Sequence, residues 1–251
     1  SSDDGKSWRK IETNIKPDSK GNAPSMHMNE HGITLRHGKH KGRLIRPSRF
    51  YAGKNASDSW PDHYTNAIYS DDGGKTWDNE QLTADDVSES HILRHSDGTW
   101  LAVGRTSCRD RMDGALPHGS GEILIRSNDE GKTWSEPKLI APQGQENAHL
   151  VELKDSRLLC SFTSRIPGLF GVVLRMSSDA GKTWSIPVVL ISSPARDWRK
   201  TDCGYPSSIQ LDDGSILTAY YFGPKSPEWA AHGQDKVAYF HIVAITDTGR
   251  H

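Results

Sequence analysis

Glu89, Asn147 and Tyr205 each stand eight residues ahead of a turn aspartate, in the segments ESHILRHSDG, NAHLVELKDS and YPSSIQLDDG. Equal spacing ahead of Asp97, Asp155 and Asp213 predicts equivalent places at the starts of three strands. Two of the three residue types make a chemical pair. A carboxylate within reach of a phenol can take its proton, which turns a weak nucleophile of ordinary pKa about 10 into a useful one. The strands that follow end in Arg105, after GTWLAVG, and Arg165, after SRLLCSFTS. Planar guanidinium forks suit a carboxylate ligand. Asn147 is expected to line the same cavity. His91 and His149, two residues beyond Glu89 and Asn147, are placed on the same wall by strand alternation. The plainer roles are a solvated strand-edge carboxylate for Glu89, surface ion pairs for the arginines, and a constrained strand entry for Tyr205 between Gly204 and Pro206.

A repeat must position these residues. SSDDGKSW, SDDGGKTW, SNDEGKTW and SSDAGKTW begin at residues 1, 70, 127 and 177 and all fit S-x-D-x-G-x-[ST]-W. An Asp side chain accepts backbone N–H bonds inside a turn, a glycine supplies a backbone conformation that a Cβ opposes, and the tryptophan covers the turn from its apolar side. The aspartates of this motif are therefore read as structural. Between the motifs, HILRHSDGTWLAVGR, HLVELKDSRLLCSFTSR, SIQLDDGSILTAYYF and ITLRHGKHKGRLIRPSRFY each read as two short strands around a tight turn. Helical periodicity is nowhere sustained. Four strands per unit, repeated about an axis, predict an all-β propeller in which the inner-strand starts converge. Four nearly complete blades can be counted, and the chain opens inside a turn motif.

Bulk composition narrows the partners. Among 251 residues, 31 Lys and Arg balance 32 Asp and Glu for a formal charge of -1, which gives no basic footprint for nucleic acid or a membrane surface. Any anion must be caught by a local cluster. Cys108, Cys160 and Cys203 have neither zinc-ligand nor disulfide-framework spacing and read as buried free thiols. The 12 histidines show no convergent ligand pattern, so neither a metal nor an organic cofactor is expected. Trp60 and Trp229, in loop-like contexts, are suited to stacking on sugar rings or to rim packing.

The four-fold S-x-D-x-G-x-[ST]-W motif resembles the Asp box of sialidases (neuraminidases) and related propeller glycosidases, and the likeness runs over most of the chain. It implies a six-bladed sialidase-type propeller, of which residues 1–251 form a single domain with about four blades plus a partial one, lacking the N-terminal blade or blades. Glu89 in SES, Arg105 in VGRT, Arg165 in TSR and Tyr205 in GYPSS fall in the family's order, with 16 residues from Glu89 to Arg105. HGITLRHGKHKGRLIRPSRFYAGKN is similar to the family's G-x-L-[LIV]-x-P stretch. The resemblance implies exo-α-sialidase chemistry on terminal sialic acid or a similar acidic sugar, with Tyr205 as nucleophile, Glu89 as its base, and Arg105 and Arg165 as two of three arginines on the sugar carboxylate. Asn147, His91 and His149 would complete substrate binding. Sialidases are the recognised tyrosine-nucleophile exception among glycosidases, and a neutral nucleophile avoids repulsion from an anionic substrate. The family's first arginine, within R-I-P, and its acid/base aspartate have no counterpart here. The resemblance further implies a carboxylate-bearing glycan partner, no cofactor, and a secreted or periplasmic location, although residues 1–20 carry no signal-like apolar stretch. Self-association could complete the ring. Two other functions fit the same sequence: a non-catalytic carbohydrate-binding propeller, and a propeller lyase or glycosidase acting on uronate-containing polysaccharide.

Overall fold

A computed structural model describes residues 1–22, 32–36, 38–51, 63–85, 87–106, 121–142, 144–193, 201–224 and 240–245. Cys108, Trp60 and Trp229 lie outside these residues. All regular structure among the described residues is β, in four sheets. The first contains β1 (Asn14–Ile15), β2 (Ile33–Thr34), β3 (Leu44–Tyr51), β4 (His63–Ser70) and β5 (Thr76–Asp85), with β1 added in parallel beside β5. The second is β6 (Val87–Arg94), β7 (Trp100–Thr106), β8 (Glu122–Ser127) and β9 (Lys138–Ala141). The third is β10 (Gln145–Glu152), β11 (Leu158–Ser164), β12 (Phe170–Ser177) and β13 (Val188–Ser193). The fourth is β14 (Thr201–Gln210), β15 (Ile216–Pro224) and β16 (Phe240–Ile245). Apart from β1, strands pair antiparallel in chain order. This is the all-β propeller arrangement that the repeat predicts.

The apolar core lies between sheets as well as within them. Leu101, Val103 and Leu124 of the second sheet pack with Leu150, Cys160 and Phe162 of the third. Ile45 and Ala67 meet Ile92 and Trp100 between the first and second, and Leu159 and Leu174 meet Ile216 and Tyr220 between the third and fourth. Each blade thus covers its neighbour's face, so blade order fixes where the inner strands stand. Cys160 and Cys203 are buried and free, and burial pushes the Cys203 thiol up to about 12.

All four repeat motifs close the same turn. In 70–77, Ser70 Oγ donates to Asp72 at 2.8 Å and accepts from the Gly74 N–H, while Asp72 accepts from the Thr76 N–H at 2.9 Å and hydroxyl at 2.7 Å. Residues 1–7, 127–133 and 177–183 repeat the pattern. Gly74, Gly131 and Gly181 hold φ of 91°, 84° and 80°, in the left-handed region. Trp77 and Trp134 donate their indole N–H to the carbonyls of Gly74 and Gly131.

The carboxylates in these turns are acidified, chiefly by the Ser or Thr hydroxyl that donates to them. Asp3 and Asp129 fall to about 2, and Asp72 and Asp179 lie lower still. An aspartate depressed on folding lends stability that is complete above its unfolded value of 3.8 and is lost as pH falls through the folded value. Melting temperature is therefore expected to drop steeply between about pH 4 and pH 2. A double variant, Asp72→Asn with Asp179→Asn, should show a shallower drop over that window, and a slope equal to wild type would contradict the assignment.

Candidate active site

The inner strands β6, β10 and β14 share one irregularity. Ser88 pairs with Arg105 and His91 with Val103, so Glu89 and Ser90 face a single residue, Gly104. Asn147 and Ala148 likewise face Phe162, and Tyr205 and Pro206 face Tyr220. Each is a β-bulge, and its first residue is left-handed: φ is 51° at Glu89, 61° at Asn147 and 49° at Tyr205. Left-handed backbone at a residue with a Cβ costs on the order of 1–3 kcal/mol and persists only where its surroundings enforce it. Bulges re-aim side chains and are over-represented beside active sites. The three residues that turn spacing makes equivalent are therefore equivalent in backbone, and the bulges turn all three to one point.

They meet there. The Tyr205 hydroxyl donates to Glu89 Oε1. Glu89 Oε2 accepts from Arg105 Nη1 at 2.8 Å and from the Asn147 side-chain amide. Burial first, and then the Glu89 carboxylate, push the Tyr205 phenol well above its usual pKa, so it rests as a neutral phenol whose proton points at a base.

Arg165 joins through a group that turn spacing does not single out. Its Nη1 contacts Glu146 Oε1, and Arg105 Nε reaches Glu146 Oε2 at 2.6 Å. Glu146 has no solvent exposure. Arg165 Nη2 also meets Asp202 at 3.1 Å, the Cys203 carbonyl at 3.3 Å and the Tyr221 hydroxyl at 3.5 Å. Register explains why Arg165 reaches differently from Arg105. Arg105 pairs with Ser88, and the matching positions are Thr163 opposite Glu146 and Tyr221 opposite Gly204. Arg165 therefore lies two residues past its counterpart, beyond the end of β11.

His91 and His149 lie together, with ring centroids 4.4 Å apart. His91 Nδ1 accepts the Leu150 N–H and His149 Nδ1 the Ser208 N–H, so each ring spans to the next inner strand. The alternation that would set them beside Glu89 and Asn147 does not run through a bulge, where an extra residue intervenes. These rings tie inner strands together at the level just past the bulges.

A fourth carboxyl, Glu122, stands beside the cluster, opposite Arg105 in the β7–β8 ladder and fully buried. Its Oε1 accepts the Ala148 N–H at 3.0 Å, pinning the bulge that presents Asn147, while Oε2 has no partner among the described residues. The matching position on β12 is Val172, opposite Thr163. Burial raises the Glu122 pKa well above 4.5, with the Glu89 and Glu146 charges adding to the effect. A carboxyl raised on folding stabilises fully below its unfolded value, and that contribution declines as pH rises toward the folded value, by about 1.4 kcal/mol per pH unit. Glu122→Gln keeps the acceptor without an ionisable proton. Urea midpoints between pH 5 and 8 should fall with pH in wild type and fall less in the variant, whereas parallel profiles would mean that Glu122 ionises freely.

A family model for the BNR repeat-like domain matches residues 1–218. The chain belongs to the BNR repeat-like family. Among individual relatives, a protein of Micromonospora viridifaciens named Sialidase is 34% identical over 111 residues, 43% of this chain and 16% of that protein. Among solved structures, a protein of unknown function from Dyadobacter fermentans superposes with a TM-score of 0.65 at 23% identity, covering 97% of this chain and 61% of that one. An alpha-L-arabinanase of Penicillium chrysogenum, complexed with arabinobiose, gives 0.63 at 17% identity over 95% of this chain and 67% of that one. The two structural likenesses are of fold. This BNR repeat-like chain thus combines a shared propeller scaffold with a partly buried cluster of Tyr205, Glu89, Asn147, Arg105, Glu146 and Arg165.

Proposed function

We propose that this chain carries the chemistry of a glycoside hydrolase, with Tyr205 as nucleophile and Glu89 as its base. The observation that carries the reading is the hydrogen bond from the Tyr205 phenol to Glu89 Oε1, with Oε2 fixed by Arg105 and Asn147. Geometry of this kind gives a general base its direction. As the phenol oxygen bonds to the anomeric carbon, its proton passes to Glu89 and the bond to the leaving oxygen breaks. The departing oxygen takes a proton from a separate acid, which the resembled family carries in its first blade. Water, giving its proton to the conjugate base of that acid, then attacks the anomeric carbon as the bond to Tyr205 breaks and Glu89 returns the proton to the phenol oxygen, and two displacements restore the original anomeric configuration. Because the resting phenol is neutral, negative charge on its oxygen develops only as Glu89 takes the proton. The relative from Micromonospora viridifaciens, named Sialidase, supports a reading of this class, and the fold is shared with an arabinanase.

A second reading makes the substrate a sialoside, with Arg105 and Arg165 on its carboxylate. The relative named Sialidase favours it, together with the order Glu89, Arg105, Arg165, Tyr205. The test of hydrolysis is release from a panel of aryl glycosides, neutral and acidic, by wild type and Tyr205→Phe. Turnover that survives the substitution removes Tyr205 from the mechanism. Glycan binding without turnover would make the propeller a lectin, and an ultraviolet-absorbing unsaturated product would make it a lyase.

A further inference from the structure

From the placement of Glu146 across Arg105 and Arg165, we propose that this site takes a neutral sugar and that Glu146 is the residue excluding carboxylate-bearing ones. The proposal rests on the hydrolase reading for its chemistry, but its selectivity claim concerns binding alone.

The two guanidiniums form a clamp, and the clamp is filled. Glu146 gives one carboxylate oxygen to each arginine: Oε2 to Arg105 Nε at 2.6 Å and Oε1 to Arg165 Nη1. A substrate carboxylate bridging the pair would need that same placement. Other donors of the forks also meet protein, since Arg105 Nη1 bonds Glu89 and Arg165 Nη2 faces Asp202, the Cys203 carbonyl and the Tyr221 hydroxyl, while the buried Arg165 Nε has no hydrogen-bond partner among the described residues.

Glu146 is not placed to swing aside. It has no exposed surface, it pairs with Thr163 in the β10–β11 ladder, and its backbone runs directly into the left-handed Asn147. Displacing it would leave a buried carboxylate without its cations, which costs far more than a surface ion pair returns. An incoming carboxylate would also approach Glu89 and Asp202, two further acids on the same arginines. Like charges at such range are strongly unfavourable away from bulk water. A neutral sugar meets the opposite situation, because carboxylates and the Asn147 amide are natural acceptors for its hydroxyl protons.

The experiment compares acid and ester. Wild type and Glu146→Gln are titrated calorimetrically with 2,3-didehydro-2-deoxy-N-acetylneuraminic acid and with its uncharged methyl ester, alongside kcat/KM for neutral aryl glycosides and an aryl sialoside. Wild type is expected to bind the ester at least tenfold tighter than the acid and to prefer a neutral glycoside by about 100-fold, with Glu146→Gln narrowing the first gap at least tenfold. Acid binding that equals or exceeds ester binding in wild type overturns the proposal without needing any variant to fold. So does Tyr205-dependent cleavage of the sialoside at or above the neutral rate, an outcome that leaves the hydrolase reading intact. If no glycoside is cleaved but the ester is preferred, hydrolysis fails and the selectivity stands. If neither ligand binds either protein, the selectivity fails.

Discussion

Tyr205→Phe is expected to lower kcat for glycoside hydrolysis by about 10³-fold or more while leaving the unfolding temperature close to wild type. The activity loss follows from the proposed mechanism, in which the phenol oxygen bonds to the anomeric carbon and phenylalanine offers no replacement. The stability effect is small because Glu89 is not orphaned. Arg105 at 2.8 Å and the Asn147 amide still hold its other oxygen, so no buried carboxylate is left unpaired. Glu89→Gln separates base from scaffold: the amide oxygen can still accept from Arg105, but it cannot take a proton. A kcat lowered by about 10²–10⁴-fold with KM little changed is the signature of a lost general base. Equal losses in binding and turnover would make Glu89 a sugar-binding residue instead. Rates are measured by fluorescence of a released aryl group, with circular dichroism on the same samples to show that the fold is retained.

The meeting of Glu89, Asn147 and Tyr205 is legible in the sequence because their spacing from turn aspartates is equal. Turn aspartates Asp97, Asp155 and Asp213 mark equal depths in three blades, so counting back from them reaches Glu89, Asn147 and Tyr205 without knowledge of the sheet. The same holds for the repeat turns, whose Ser, Asp, Gly and Thr each make a local bond within five residues. What the sequence hides is whatever the bulge controls. An extra residue in β6, β10 and β14 breaks the two-residue alternation, and with it any inference from Glu89 to His91 or from Asn147 to His149. Glu146 sits beside Asn147 in the chain, but only the bulge decides that both side chains serve one cluster. Glu122 gave a faint signal, an acid opening the apolar run EILI, and its value emerges only from the register that sets it opposite Arg105 where β12 has Val172. Asp202 and Tyr221 reach Arg165 from another blade, through contacts no local pattern encodes.

Glu146→Ala is expected to be the most destabilising single substitution in this cluster, by about 3–5 kcal/mol in urea or thermal unfolding. The deleted carboxylate is fully buried and serves two cations at once, at 2.6 Å to Arg105 Nε and in contact with Arg165 Nη1. Its removal leaves two donors turned toward a cavity that once held an anion, and each must be dragged to solvent or left without its partner. Loss of the side-chain volume adds a void between the inner strands, which core neighbours fill only in part. For a chain of this size the change corresponds to a melting temperature lower by on the order of 10 °C. Glu146→Gln, which keeps the volume and one acceptor, should lose less than the alanine variant. A cost below about 1 kcal/mol for Glu146→Ala would place Glu146 among hydrated surface ion pairs. In that case Arg105 and Arg165 would be available to an outside carboxylate, so this stability measurement bears directly on which sugars the clamp can hold.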